Sequence, residues 1–209
     1  SSTRYAAMIE AMDDAIGRVL AKLDELDLAE ETLVIFTSDN GAYGGVTDLS
    51  PLRAAKGHLY EGGIRVPLII RWPGQIESGS LSSNPVISMD FFPTILEAAG
   101  LEIEPSAPLD GESLLPLLRQ NGSLDRDAIY FHYPNYAFHQ ENRLGGAIRK
   151  GAYKLIHFYD DDSVELYDVV GDLGEEHDLS AEMPELAAQM KADLVSWLES
   201  SGAQMPRPL

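Results

Sequence analysis

The 209-residue chain predicts an α/β layer architecture followed by a small antiparallel sheet, and three features carry that reading. A long helical stripe leads into a continuous apolar, β-branched run. A second such run and a second helix come next. Beyond residue 105, short alternating segments separated by turn residues end in a last helix.

The first element rests on Tyr5, Met8, Ile9, Met12, Ile16, Val19, Leu20, Leu23 and Leu26, apolar at helical spacing with charged residues between them. After the turn-like stretch 27–31, Thr32-Leu33-Val34-Ile35-Phe36-Thr37 reads as a strand buried on both faces, as in a parallel sheet. It stops at Ser38-Asp39-Asn40-Gly41. A glycine-rich irregular stretch runs to Gly63, and Arg65 to Trp72 then supplies a second apolar strand, ended by Pro73-Gly74. Met89 to Ala99 has helical spacing, with Gly100 placed as a C-terminal cap.

At about Pro105 the composition turns proline- and glycine-rich, so the chain divides into an α/β part, 1–104, and a subdomain, 105–209, that begins with a crossover. The stretches 128–133, 146–149, 153–158 and 164–168 are separated by turn signals such as Lys150-Gly151 and Asp160-Asp161-Asp162-Ser163, which predicts an antiparallel sheet. Leu186, Met190, Leu194, Trp197 and Leu198 place a terminal helix over 184–201.

Composition narrows the chemistry. With no cysteine, disulfide scaffolds and cysteine-ligated zinc are excluded. No apolar run approaches the roughly 18 residues of a membrane span. Fifteen basic against 34 acidic side chains give a formal charge of −19, a field that repels nucleic-acid backbones. The opening Ser1-Ser2-Thr3-Arg4-Tyr5 lacks the basic and apolar regions of a signal peptide and reads like the interior of a longer protein.

Three places offer chemistry. Asp39 and Asn40 sit after the first strand, where open α/β sheets place ligands, and a carboxylate beside an amide offers hard oxygens of the kind calcium or magnesium prefers. Asp-Asn-Gly is equally a turn sequence, and taken alone it reads first as one. Between Pro51 and Gly74, four cations, Arg53, Lys56, Arg65 and Arg71, face the single anion Glu61. With Gly57, Gly62 and Gly63 this stretch fits an anion pocket, or equally a set of cations pairing with surface acids; His58 is either a donor there or a loop histidine. The run Phe131 to His139 offers aromatic faces for a sugar or aryl group, although such runs are more often core and hairpin. Asp160 to Asp162 lacks calcium-loop spacing and reads as a solvated turn.

Taken together, Leu33 to Gly41, Leu52-Arg53-Ala54-Ala55-Lys56-Gly57 and Tyr60-Glu61-Gly62-Gly63-Ile64-Arg65-Val66-Pro67 resemble the type I, formylglycine-dependent sulfatases, the arylsulfatase family. The resemblance continues through Ile16-Gly17-Arg18-Val19, Trp72-Pro73-Gly74, Asp90, Pro93-Thr94, Leu109 to Leu114 and Glu165-Leu166-Tyr167-Asp168, and so covers nearly the whole chain in order. It implies an alkaline-phosphatase-like fold, with 1–104 as the C-terminal part of the α/β core and 105–209 as the C-terminal subdomain. It implies hydrolysis of sulfate esters, with Asp39 and Asn40 as ligands of one Ca2+ and Lys56 as a catalytic contact to a sulfate oxygen. Arg53, His58 and His139 are the expected substrate-binding residues.

The family's nucleophile motif, Cys or Ser followed by x-Pro-x-Arg, has no counterpart, because Ser50-Pro51-Leu52-Arg53 has the wrong spacing. The formylglycine, the other metal aspartates and the acid-base histidines are therefore expected upstream, in the N-terminal half of the same protein, and the chain alone is expected to be inactive and prone to self-association. The expected partner is a sulfated small molecule or carbohydrate. A bacterial parent exported to the periplasm or medium is the expected setting. Two alternatives stand beside this: a non-catalytic module touching carbohydrate through Tyr133, Tyr136 and His139, and a phosphate or phosphonate ester hydrolase of the same superfold.

Overall fold

A computed structural model describes residues 3–102, 104, 108–136 and 141–206. Its elements are α1 (Thr3–Glu25), β1 (Val34–Thr37), α2 (Glu61–Ile64), β2 (Leu68–Arg71), α3 (Phe91–Ala98), α4 (Leu115–Leu118), β3 (Ala128–Tyr133), β4 (Gly145–Lys150), β5 (Tyr153–Phe158), β6 (Val164–Asp168) and α5 (Pro184–Ser200), with a 3-10 turn at Ser88–Asp90 leading into α3. No helix among the described residues is long and apolar enough to cross a membrane.

Packing groups the chain into two compact units that interleave along the sequence: 38–66 joins 127–209, while 3–37 joins 67–126. The second unit runs through the expected 104/105 boundary, so packing and composition divide the chain differently.

In the unit that contains residues 38–66 and 127–209, β3-β4-β5-β6 form an antiparallel meander in chain order, as the turn signals predict. Gly151-Ala152, one residue past the start of the expected turn signal, makes the tight β4–β5 turn, with Gly151 at φ 57°. Side chains alternate across the sheet. On one face Ile148, Leu155 and Leu166, paired rung to rung, meet Ala187, Met190, Leu194 and Leu198 of α5, and Tyr130 stacks on Trp197 at 4.9 Å. On the other face Ala147, Ile156, Phe158 and Tyr167 pack with Leu59, Tyr60, Phe131 and Tyr133. The glycine-rich stretch thus lies on the sheet, and the sheet is covered on both sides.

The other unit corrects two expectations. Among the described residues β1 pairs with β2 only, and antiparallel where a parallel neighbour is expected, Val34 opposite Arg71 and Thr37 opposite Leu68. It is also not buried on both faces, since all four of its residues are half-buried and Ile69 of β2 is 62% exposed. A continuous apolar run specifies a strand but neither its partner nor what covers it. Helix α1 forms where the spacing predicts, yet none of its residues is buried and Met8 and Val19 are more than half exposed. Within this unit Asp90 is wholly buried and organises its surroundings: its carboxylate pairs with Arg126 and accepts the backbone N–H groups of Ile87 and Glu112.

Candidate active-site segment

Three backbone stretches meet in the first unit at separations that only glycine allows. A Cβ on Gly41 would lie 1.8 Å from the Gly62 carbonyl oxygen, one on Gly62 would lie 2.4 Å from the carbonyls of Arg53 and Ala54, and one on Gly63 would lie 2.1 Å from that of His58. Hydrogen bonds stitch the crossing: Gly41 N–H donates to Gly63 O at 2.9 Å, Gly62 N–H to Arg53 O at 2.8 Å, and Lys56 N–H to Ala42 O at 3.0 Å. The expected use of these glycines is corrected here. Their close approach is to neighbouring backbone, and the Gly62 and Gly63 amides bind Arg53 O and Tyr60 O, so neither is open to an anion.

The crossing sets Lys56 beside the stretch that carries the expected metal ligands. Asn40 Nδ2 donates to Asp39 Oδ1 at 3.0 Å and to Gly41 O at 3.3 Å, which fixes the amide. Asp39 Oδ2 and Asn40 Oδ1 have no hydrogen-bond partner among the described residues, leaving one hard oxygen on each side chain. That donor set fits a calcium ion in kind. It is incomplete in number, and no cluster of three or more His, Asp or Glu able to hold a metal occurs among the described residues.

The four cations of the basic stretch, equivalent in sequence, have separate fates. Arg53 Nη1 donates to Tyr167 OH at 2.8 Å and Glu175 O at 2.9 Å, and its guanidinium lies 4.0 Å from the centre of the Tyr60 ring. These bonds clamp the segment to the sheet, away from the substrate contact expected of Arg53. Arg65 pairs with Glu61 at 3.1 Å and Arg71 with Asp24 at 3.8 Å. Lys56, half-buried, has no acidic partner among the described residues. His58 Nδ1 lies 3.1 Å from Ala55 O, a contact that shapes its own loop. His139 lies outside the described residues.

Beneath the segment is a charge cluster that the sequence does not announce. Lys154, wholly buried on β5, places Nζ 2.8 Å from Glu61 Oε1 and 2.7 Å from Glu175 Oε1, and Glu175 Oε2 accepts the Glu61 N–H at 2.7 Å. Burial works to raise the Glu61 carboxyl, but the Lys154 and Arg65 cations outweigh it and hold it below its ordinary value. For Glu175, burial prevails over Lys154 and the carboxyl is raised. Tyr60 and Tyr167 both donate to Glu165 Oε2, at 2.7 and 2.9 Å; burial first, then that carboxylate, push both phenols up, so they stay protonated donors.

Of the aromatic run, the described residues 131–133 belong to β3. His132 Nδ1 lies 2.8 Å from Tyr159 OH and its Nε2 3.0 Å from Gln204 O, Phe131 and Tyr133 pack into the loop-side core, and Tyr136 is exposed. The acidic turn is exposed, as expected, and pairs with Arg143 and Lys191.

Two family models match: N-sulphoglucosamine sulphohydrolase, C-terminal, over residues 54–200, and sulfatase over residues 1–101. A sulfatase from Formosa agariphila is 38% identical across 95% of this chain and 40% of its own length. The structure of BT4656 in complex with its substrate D-glucosamine-2-N,6-O-disulfate aligns with a TM-score of 0.80 at 34% identity, over 97% of this chain and 41% of that one. A phosphonate monoester hydrolase of Agrobacterium radiobacter aligns at 0.71 and 26% identity, over 92% of this chain and 40% of that one. The chain thus spans about two fifths of the length of these relatives and shares their alkaline-phosphatase-like fold. From these matches, the chain belongs to the sulfatase family, in the part described by its C-terminal model.

Proposed function

We propose that this chain is the C-terminal part of an enzyme that hydrolyses sulfate esters, contributing Lys56 as the cation that faces the sulfate and Asp39 and Asn40 as two oxygen ligands of a calcium ion. The observation that carries this is the distribution of charge. In a chain of net charge −19, Lys56 alone of the four cations in its stretch has no side-chain hydrogen bond or ion pair among the described residues, and its backbone is hydrogen-bonded beside Asp39 and Asn40.

Displacement at a sulfate ester builds negative charge on the sulfuryl oxygens. A fixed ammonium directed at those oxygens stabilises the transition state without transferring a proton, by roughly 3 kcal/mol for one such donor. Lys56 suits this role because its segment is pinned by Arg53 and by the glycine crossing, so little reorganisation is needed when charge develops. A bound divalent cation supplies Lewis-acid polarisation of a sulfate oxygen. Asp39 and Asn40 hold it with the two oxygens left uncommitted, and the remaining ligands, with the formylglycine nucleophile, come from outside this chain.

A sulfated carbohydrate is the proposed substrate class, supported by the likeness to BT4656 with its glucosamine disulfate. Export to the periplasm or medium belongs to the same proposal, with the cysteine-free composition as its support; cell fractionation tests it. A second reading, phosphonate or phosphate ester hydrolysis, is favoured by the alignment with the Agrobacterium enzyme. Assaying the full-length protein on matched aryl sulfate and aryl phosphonate separates the two. In that protein Lys56→Ala should lower kcat on the sulfate ester about a hundredfold; a change of less than twofold would exclude the proposed role. The 209 residues alone should show no turnover.

A further inference from the structure

We propose that Lys154, through Glu61 and Glu175, is a positioning residue that sets the place of Lys56, an inference that rests on the role proposed for Lys56. Lys154 stands on β5 between β4 and β6, opposite Arg149 and Tyr167, in the interior of the sheet. Its ammonium is wholly buried and reaches two carboxylates from different parts of the chain, Glu61 in the glycine segment and Glu175 in the loop after β6.

Glu175 is the hub of this lock. It holds a left-handed backbone, φ 54°, that residues with a side chain rarely adopt, while wholly buried. Its carboxylate takes the Lys154 ammonium and the Glu61 N–H, and its carbonyl takes Arg53 Nη1. From Arg53 the bonds continue directly: its carbonyl accepts Gly62 N–H, Gly63 O accepts Gly41 N–H, and three residues beyond Arg53 the Lys56 N–H holds Ala42 O. One buried ammonium therefore fixes the register of both stretches that bear the proposed site, 39–42 and 53–56.

A hydrophobic set of the same volume at these three positions would often serve stability as well or better, because desolvating charges is costly. What three directional charges add is placement, and placement matters where a displacement of about 1 Å can cost a hundredfold in rate.

The test is a double-mutant cycle in the full-length protein on an aryl sulfate. Lys154→Met should lower kcat about tenfold with KM within about threefold, and Lys154→Arg should restore part of it. Adding Lys154→Met to Lys56→Ala should cost less than a further threefold, since a residue acting through Lys56 has nothing left to position. Full kcat in folded Lys154→Met, or multiplicative effects in the double variant, would overturn the inference. If Lys154→Met fails to fold, the near-isosteric Glu175→Gln decides: lowered kcat with the same non-additivity supports the inference, and unchanged kcat or failure to fold rejects it. If Lys56→Ala itself leaves turnover intact, the role of Lys56 falls instead.

Discussion

The two sheets begin from similar sequence and end in different surroundings. Val34-Ile35-Phe36-Thr37 and Tyr153-Lys154-Leu155-Ile156-His157-Phe158 are both rich in apolar and aromatic residues. In the four-stranded sheet α5 covers one face and the glycine segment the other, so Leu155 and Ile156 are wholly buried. In the β1–β2 pair no residue of β1 is fully buried and Ile69 is mostly exposed. The lesson is that an apolar run encodes a strand, while its energetic weight comes from segments distant in sequence, here Leu59, Tyr60 and the helix at 184–200.

The covered sheet depends most on the glycine crossing above it. Gly41→Ala forces a Cβ into the Gly62 carbonyl and should destabilise the protein by about 4 kcal/mol or more, seen as loss of soluble protein or of the cooperative urea transition. A tolerated alanine would show that the crossing is looser than described. Next in size, Ile156→Ala should cost about 3 kcal/mol by urea denaturation, from lost transfer energy and the cavity left behind.

Smaller and pH-dependent is the effect of the two buried carboxylates. Glu61, held below its ordinary value, contributes stability at neutral pH that is lost as the pH falls through that lowered value. Glu175, raised by burial, runs the other way: folding favours its protonated form, so its contribution is present in acid and lost as the pH rises. Glu175→Gln removes the opposing slope, and stability should then fall more steeply on acidification than in the parent protein. A shallower fall would mean that the signs are reversed. Smallest is Ile69→Ala measured in the 209-residue chain, expected within about 0.5 kcal/mol because there the side chain is already mostly in water.

Much of this was legible. The alternation and turn residues of 128–168 gave the four strands, and the apolar spacing gave α1, α3 and α5. Asp39, Asn40 and Lys56 stand out in the sequence through their local pattern and the family it resembles. Lys154 and Glu175 do not. A lysine inside an alternating strand reads as solvent-facing, and nothing near it reveals that Glu61, 93 positions earlier, covers it. Glu175 lies among Asp172, Glu176 and Asp178, a composition that carries no sign of burial. Arg53 and Lys56 carry the same charge three residues apart, and only the positions of Tyr60, Tyr167 and Glu175 distinguish the clamp from the unpaired cation.

The most direct measurement is a crystal structure of the full-length protein with calcium and inorganic sulfate bound. Asp39 and Asn40 oxygens should lie on the metal, and Lys56 Nζ within hydrogen-bond distance of an oxygen of the sulfate. Lys56 directed away from the sulfate, or a metal held without Asp39 and Asn40, would contradict the roles proposed for these residues.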